Sequence, residues 1–103
     1  MKIIKCLVMM IDDELEGAEN YVNAANEYRM EHKRTADEFI KLAEVEMTHV
    51  KALHGEVTRL IEEVRAQKGE PPKEMMAIYE FEHSKAIRRA AHIKVLIDEY
   101  KQG

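Results

Sequence analysis

Residues 39–64 read FIKLAEVEMTHVKALHGEVTRLIEEV. Within them, one set of positions recurs at alternating steps of four and three, the spacing of one face of an α-helix. The set comprises Phe39, Ala43, Glu46, Val50, Leu53, Val57, Leu60 and Val64. All of these positions except Glu46 are apolar. The pattern therefore predicts a long helix that packs one face against other helices and carries a carboxylate in that face.

The same spacing continues on both sides of this stretch, so the chain is predicted to form three helices over about 3–30, 35–68 and 72–101. The first face comprises Ile4, Leu7, Ile11, Glu14, Ala18, Tyr21, Ala25 and Tyr28. The third comprises Met76, Tyr79, His83, Ala86, Ala90, Ile93, Ile97 and Tyr100. A capping box from Thr35 to Glu38 is expected to start the second helix. Gly69 and the following Pro71-Pro72 are expected to separate it from the third.

The fold class is accordingly all-α, with residues 1–103 as a single helical domain. Short connections predict an antiparallel hairpin of two long helices, followed by a third helix. Each helix of about 30 residues is about 45 Å long, so a monomer would be thin and would bury only one stripe per helix. We therefore expect a half-bundle that is completed by dimerisation or by a higher homo-oligomer.

Composition excludes several classes of protein. The chain has 20 acidic and 16 basic residues, a net charge of −4, which argues against a nucleic-acid-binding protein. The single cysteine, Cys6, excludes an intrachain disulfide and a Cys-x-x-Cys metal site. The apolar stretch after Lys5 is too short for a membrane span and lacks a signal-cleavage site. We expect no membrane partner and a cytoplasmic location.

Two glutamates, Glu14 and Glu46, interrupt otherwise apolar helical faces. A buried carboxylate must be protonated, paired with a cation or bound to a metal. Taking the first turn near residue 31, Glu14 lies 17 residues before it and Glu46 lies 15 after it. The mismatch in height is only about 3 Å, so the two carboxylates are predicted to face each other across the hairpin. A cation between them would remove their repulsion.

A third ligand follows Glu46 in the motif Glu46-Met47-Thr48-His49. Residues three apart lie on the same helical side, so Glu46 and His49 can reach one metal ion. Carboxylate and imidazole suit iron or manganese, and zinc can compete. Di-iron bundles take a Glu from each of two helices and Glu-x-x-His from each of two others. One hairpin holds half of that set, so two chains would form the site from Glu14, Glu46 and His49 of each.

Residues 14–49 resemble the first helical hairpin of the ferritin-like superfamily, especially rubrerythrins and encapsulated ferritins. The resemblance rests on Glu14, Tyr21, Ala25, Ala36, Phe39, Ala43, Glu46 and His49, and on the run Asp13-Glu14-Leu15-Glu16. It implies that Glu14 is a metal ligand, Glu46 a bridging carboxylate and His49 a terminal ligand, with Tyr21 nearby. It also implies a di-iron cofactor with ferroxidase or peroxide-reducing chemistry.

The chain departs from that family in three respects. It has three predicted helices rather than four, no rubredoxin module, and Lys85 where a further Glu would follow Glu82. A self-contained rubrerythrin is therefore excluded, and a site shared by two chains is the remaining version. The alternative is a non-enzymatic helical assembly or adaptor protein in which Glu14 and Glu46 fix the register of the helices.

The other histidines are weaker candidates. His83 follows Glu80 in a second Glu-x-x-His, but its height differs from that of Glu46 by about 16 Å within one chain. It is expected to be a core histidine or a contact between chains. His92 is nearly level with His49 and is held as a candidate near the metal, although a solvated position is the simpler interpretation. His32 and His54 are expected at the surface.

Overall fold

The computed structural model describes all 103 residues and contains three α-helices and no strand. We label them α1 (Lys2–Tyr28), α2 (Lys33–Lys68) and α3 (Lys73–Gln102). The prediction of an all-α chain of three long helices is confirmed. None of the helices has an apolar stretch long enough to cross a membrane.

The second inter-helix connection forms as predicted and the first does not. Gly69 ends α2 with φ of 83°, a left-handed conformation that glycine adopts without steric cost, and Pro72 directly precedes α3. The predicted capping box is wrong, because α2 already begins at Lys33 and has no side-chain cap. Lys33 pairs with Asp37 one turn later at 2.6 Å, which supports the earlier start and places Thr35 inside the first turn.

The contacts between helices fix their directions. Glu14 of α1 contacts His49 of α2, and Gly17 lies against Glu46, so α1 and α2 run antiparallel. Met1 contacts Met75 at one end of the bundle, while Arg29 donates to the carbonyl of Tyr100 at the other. Helix α3 therefore runs parallel to α1. It packs chiefly on α1 and touches α2 much less.

The core is a single stripe along the bundle axis, and its residues are all apolar or Tyr100. They are Ile4, Leu7, Ile11, Leu15, Ala18, Val22, Ala25, Ala36, Ile40, Ala43, Val57, Ile61, Ile93, Ile97 and Tyr100. The predicted face of α3 points inward along its length, with every member half-buried or buried.

On the hairpin the buried stripe differs from the predicted one. Leu15, Val22, Ile40 and Ile61 are buried although they lie outside the predicted faces, whereas Tyr28 is 43% exposed. A seven-residue repeat drifts by about 20° per heptad around a straight helix, so it cannot follow a fixed direction for long. In addition, α3 covers a second side of each hairpin helix and widens the buried stripe.

The burial of Ile40 supports a stability prediction. Ile40 is 3% exposed in α2, and Ile40→Val is expected to lower the free energy of unfolding by about 1 kcal/mol, because one buried methyl group is lost. Urea denaturation at a fixed protein concentration measures the change. Ile78→Val is the matched control, since Ile78 is 66% exposed in α3, and it should leave the midpoint unchanged. Equal midpoints for the two variants would contradict the described core.

Polar contacts hold α3 on one side of the hairpin. Arg89 of α3 pairs with Glu19 of α1 and approaches Asp12 at 3.9 Å. Lys101 of α3 pairs with Glu44 of α2 at 2.7 Å. These contacts identify Asp12, Glu19 and Glu44 as residues on the α3 side of the hairpin. The opposite side has no helix against it.

Candidate metal centre

Glu14 and Glu46 lie on the side of the hairpin that α3 does not cover. Successive residues of an α-helix are rotated by about 100°, so residues two apart point in nearly opposite directions. Glu14 is two residues after Asp12, and Glu46 is two residues after Glu44. Because Asp12 and Glu44 both point toward α3, Glu14 and Glu46 both point away from it.

The structure brings Glu14, Glu46 and His49 together at this place. One ligand atom from each lies within 4.8 Å of the other two. His49 Nδ1 is 3.1 Å from Glu14 Oε2. Two neighbouring ligands at about 2.1 Å from an octahedral ion are about 3.0 Å apart, and the Glu14–His49 pair has nearly that spacing. The side chain of Glu14 is 27% exposed and that of His49 is 51% exposed, so the group is open to solvent in a single chain.

The two carboxyl groups titrate as a pair. A hydrogen bond between them lowers the pKa of Glu14 and raises the pKa of Glu46, and partial burial adds to the rise at Glu46. His49 also lowers the pKa of Glu14 by hydrogen bonding and by its charge. Glu46 therefore keeps its proton to a higher pH than Glu14. A bound cation would displace that proton, because both carboxylates could then remain ionised.

The backbone of α1 makes room for the Glu46 carboxylate at Gly17. A Cβ atom at position 17 would lie 3.0 Å from Glu46 Oε2, which is too close for an undisturbed contact. The glycine thus lets the carboxylate lie between the helices, beside Glu14. Further along the same side, Tyr21 stacks on Phe39 with ring centroids 6.2 Å apart. This aromatic pair joins α1 to α2 about two helical turns, or roughly 10 Å, from the two carboxylates and the imidazole.

Apolar side chains lie on the same uncovered side of the hairpin as the three groups. Ile3 and Met10 lie eleven and four residues before Glu14, and Tyr28 lies fourteen after it. These separations are close to whole numbers of helical turns, so the side chains share one side of α1. Their exposures are 49%, 46% and 43%. Leu42, one turn before Glu46, is 40% exposed. We call the side formed by these four residues and the three candidate ligands the open face.

The chain has no match among protein-family models, curated proteins or solved structures. The fit to a metal therefore rests on the chemistry of the donors. Two carboxylates and one imidazole form a set that iron and manganese accept, and zinc accepts too. The set has only three protein ligands, so an ion held there by one chain would keep open coordination positions.

The remaining histidines and acidic candidates lie outside the group formed by Glu14, Glu46 and His49. His83 is half-buried and stacks on His54, and neither belongs to the group at Glu14. The expectation that His54 is a surface residue is wrong, because α3 brings His83 onto its ring and leaves His54 half-buried. His92 and Glu80 are exposed, and neither belongs to the group at Glu14.

Glu82 is half-buried and pairs with Lys85 one turn later on α3, at 3.3 Å. It too lies outside the group at Glu14. The residue that sequence reasoning missed is Gly17. A glycine inside an otherwise regular helix, three residues from a candidate ligand, is a signal that could have identified it.

Gly17→Ala is expected to affect stability and metal binding in opposite directions. Alanine favours the helix over glycine by up to about 1 kcal/mol, so the metal-free protein should unfold at higher urea concentration. The added methyl group would push the Glu46 carboxylate away from Glu14, so Fe(II) affinity should fall several-fold.

The matched control is Gly55→Ala, because a Cβ at position 55 meets nothing within 4 Å. This variant should gain similar stability and bind Fe(II) like the unchanged protein. Urea denaturation and anaerobic Fe(II) titration measure the two effects. Equal Fe(II) affinity in Gly17→Ala and Gly55→Ala would show that the space at position 17 is irrelevant to the metal.

Proposed function

We propose that the protein is a ferritin-like di-iron carboxylate protein whose site is shared between two chains. The observation that carries the proposal is the convergence of Glu14, Glu46 and His49 on the open face. One chain contributes three ligands, which is half of the set used by di-iron bundles. A second copy related by a two-fold axis would place the same three ligands opposite the first.

The surface area of the chain favours this association. A folded monomer of 12.0 kDa exposes about 6,000 Å² on average, whereas this chain exposes 7230 Å². The excess of about 1,200 Å² exceeds the roughly 800 Å² that each partner loses in a standard interface. The open face supplies apolar side chains to such an interface, with the candidate ligands among them. Pairing of two open faces would give a four-helix arrangement from two hairpins, with an α3 outside each.

The residues of each chain have separate roles in this proposal. Glu14 and His49 would hold the ion from α1 and α2, and Glu46 would lie between the ions of the two half-sites. Tyr21 and Phe39, about two helical turns from the ligands, would close that end of the interface to water once a partner covers them. Iron bound there would supply electrons for the reduction of dioxygen or peroxide, which gives a ferroxidase or peroxide-reducing activity. Manganese or zinc would occupy the same ligands without the same redox chemistry.

Anaerobic titration of the metal-free protein with Fe(II), followed by exposure to oxygen, tests the proposal. We expect saturation at about one iron per chain, since two chains share a two-iron site. The ultraviolet absorption of Fe(III) should then appear much faster than in buffer alone. Absence of saturable binding, or oxidation at the rate of buffer, would exclude the ferroxidase function.

A non-enzymatic helical assembly protein is the second candidate. The observation in its favour is the 3.1 Å contact between Glu14 and His49, which satisfies both groups without an ion. In that case the three polar groups would fix the register between helices. Metal would then leave the melting temperature unchanged, and Glu46→Leu would stabilise the protein because it replaces a partly buried carboxyl group by an apolar side chain.

A further inference from the structure

A cavity of about 330 Å³ lies between the three helices on the α3 side of the hairpin. None of the three candidate metal ligands lines it. It exists because α3 presents Ala86 and Ala90 toward the hairpin, where larger residues would fill the space. Val8, Ile11 and Val50 form much of the opposite wall. The cavity is therefore largely apolar and is set by the packing of all three helices.

Three rings form a polar edge along this cavity. His54 stacks on His83 with centroids 4.4 Å apart, and His83 stacks on Tyr79 at 5.6 Å, with the planes within 14° of each other. No side-chain hydrogen bond within the protein involves any of the three rings. None of their polar atoms is sealed away from solvent. The imidazoles and the phenol therefore have hydrogen-bonding capacity free for a molecule in the cavity.

The charges around the cavity limit what can enter it. Burial lowers the pKa of His83, with a further contribution from His54, and burial raises the pKa of Tyr79. At pH 8 the imidazole of His83 is therefore uncharged and the phenol of Tyr79 keeps its proton. Asp12, Glu82 and Lys51 also line the cavity. Asp12 lies near Arg89 and Glu82 pairs with Lys85, so these carboxylates have cationic partners. The apolar walls then disfavour any small ion, whether anion or cation, because it would have to leave water.

We propose that this cavity binds a small, neutral, planar aromatic compound that carries a hydroxyl group, of which phenol is the simplest example. An apolar cavity of about 150 Å³ is sufficient for benzene, so the volume here admits a substituted ring. Apolar walls with a few converging polar groups are typical of small-molecule sites. The ring of the compound would occupy the apolar part, and its hydroxyl group would bond to the free imidazole or phenol groups.

Titration of the metal-free protein with phenol at pH 8, followed by NMR of the histidine ring protons, tests the proposal. We expect saturable shifts at His54 and His83, and none at the exposed His32. Benzoate is the matched anionic probe, and it should bind at least about tenfold more weakly, because its carboxylate would lose hydration against the apolar walls. Absence of saturable shifts with phenol, or equal binding of benzoate, would overturn the proposal.

Ala86→Phe tests the location of the site, because a ring at position 86 would occupy the cavity. It should weaken phenol binding by at least about tenfold while circular dichroism shows unchanged helix content. Ala77→Phe is the matched control, since Ala77 is exposed on the same helix and does not line the cavity. Phenol binding that survives Ala86→Phe would place the ligand elsewhere and overturn the proposal. A loss in both variants would do the same.

Discussion

Glu46→Ala is expected to abolish iron binding while leaving the three helices intact. The variant removes the carboxylate that lies nearest to Glu14 and that would be placed between two ions. Glu14 and His49 alone offer two ligands per chain, too few to hold iron against its hydration. Because Glu46 is only half-buried at the edge of the core, its loss should not unfold the chain. Iron content after dialysis and anaerobic titration measure the effect.

Glu44→Ala is the matched control for that variant. Glu44 is two residues away on the same helix but points toward α3, where it pairs with Lys101. Iron binding by this variant should equal that of the unchanged protein. If both alanine variants bind iron normally, the group at Glu14, Glu46 and His49 is not the metal site.

Thermal unfolding provides a second measurement of the Glu46 effect. A ligand that binds only the folded state stabilises it by about 2.7 kcal/mol at a concentration one hundred times the dissociation constant. The unchanged protein should therefore melt at a higher temperature with Fe(II) than with a chelator, and Glu46→Ala should show no difference. If the protein without substitutions melts at the same temperature with Fe(II) as with the chelator, the result would favour a helical assembly protein that binds no metal.

The position of the candidate site along the hairpin could be predicted because helical rise is constant. Counting residues from the turn placed Glu14 level with Glu46, and the structure brings their carboxyl groups together. The three-residue step to His49 placed the imidazole on the same side. Metal binding by these three groups stays a prediction. The depth of burial was not predictable from the repeat, since the stripe drifts and leaves Glu14 at its edge.

The placement of α3 was much less accessible to sequence reasoning. Apolar residues lie on several sides of this helix, and Ile78, Phe81, Ile87 and Val95 remain more than half exposed. Because apolar and polar residues are not separated onto different sides of α3, its sequence does not define which neighbouring helix it packs against. Its stronger packing on α1 than on α2 comes from three-dimensional fit and from pairs such as Arg89 with Glu19.

The stack of His54 and His83 was missed although a signal existed. With the second turn near residue 70, His54 lies 16 residues before it and His83 lies 13 after it. The heights therefore differ by about 4.5 Å, which is within reach of two side chains. Comparing the height of His83 with that of Glu46 alone does not predict this pairing, because the height of His54 is left out. The height of a residue along its helix does not determine the rotation of α3, and this rotation is needed to bring both rings to the same cavity.

Leu42→Asp is expected to convert the proposed dimer into monomers and to eliminate rapid iron oxidation. Leu42 is 40% exposed on the open face, one turn from Glu46, where the proposed partner chain would cover it. Pairing two such faces would bury the introduced carboxylate of each chain, at a cost of several kcal/mol, and place it close to the acidic ligands. In the monomer the position stays solvated, so the helices should persist. Sedimentation equilibrium should report about 24 kDa for the unchanged protein and 12.0 kDa for the variant.

Val95→Asp separates the loss of the interface from the mere addition of charge. Val95 is 51% exposed on α3, which lies outside the proposed pairing of open faces. This variant should remain dimeric and oxidise iron at the rate of the unchanged protein. A dimer that persists in Leu42→Asp but is lost in Val95→Asp would place the interface on α3. Each set of three ligands would then remain alone on its own chain, and the shared di-iron site would be excluded even if each chain still bound a metal ion.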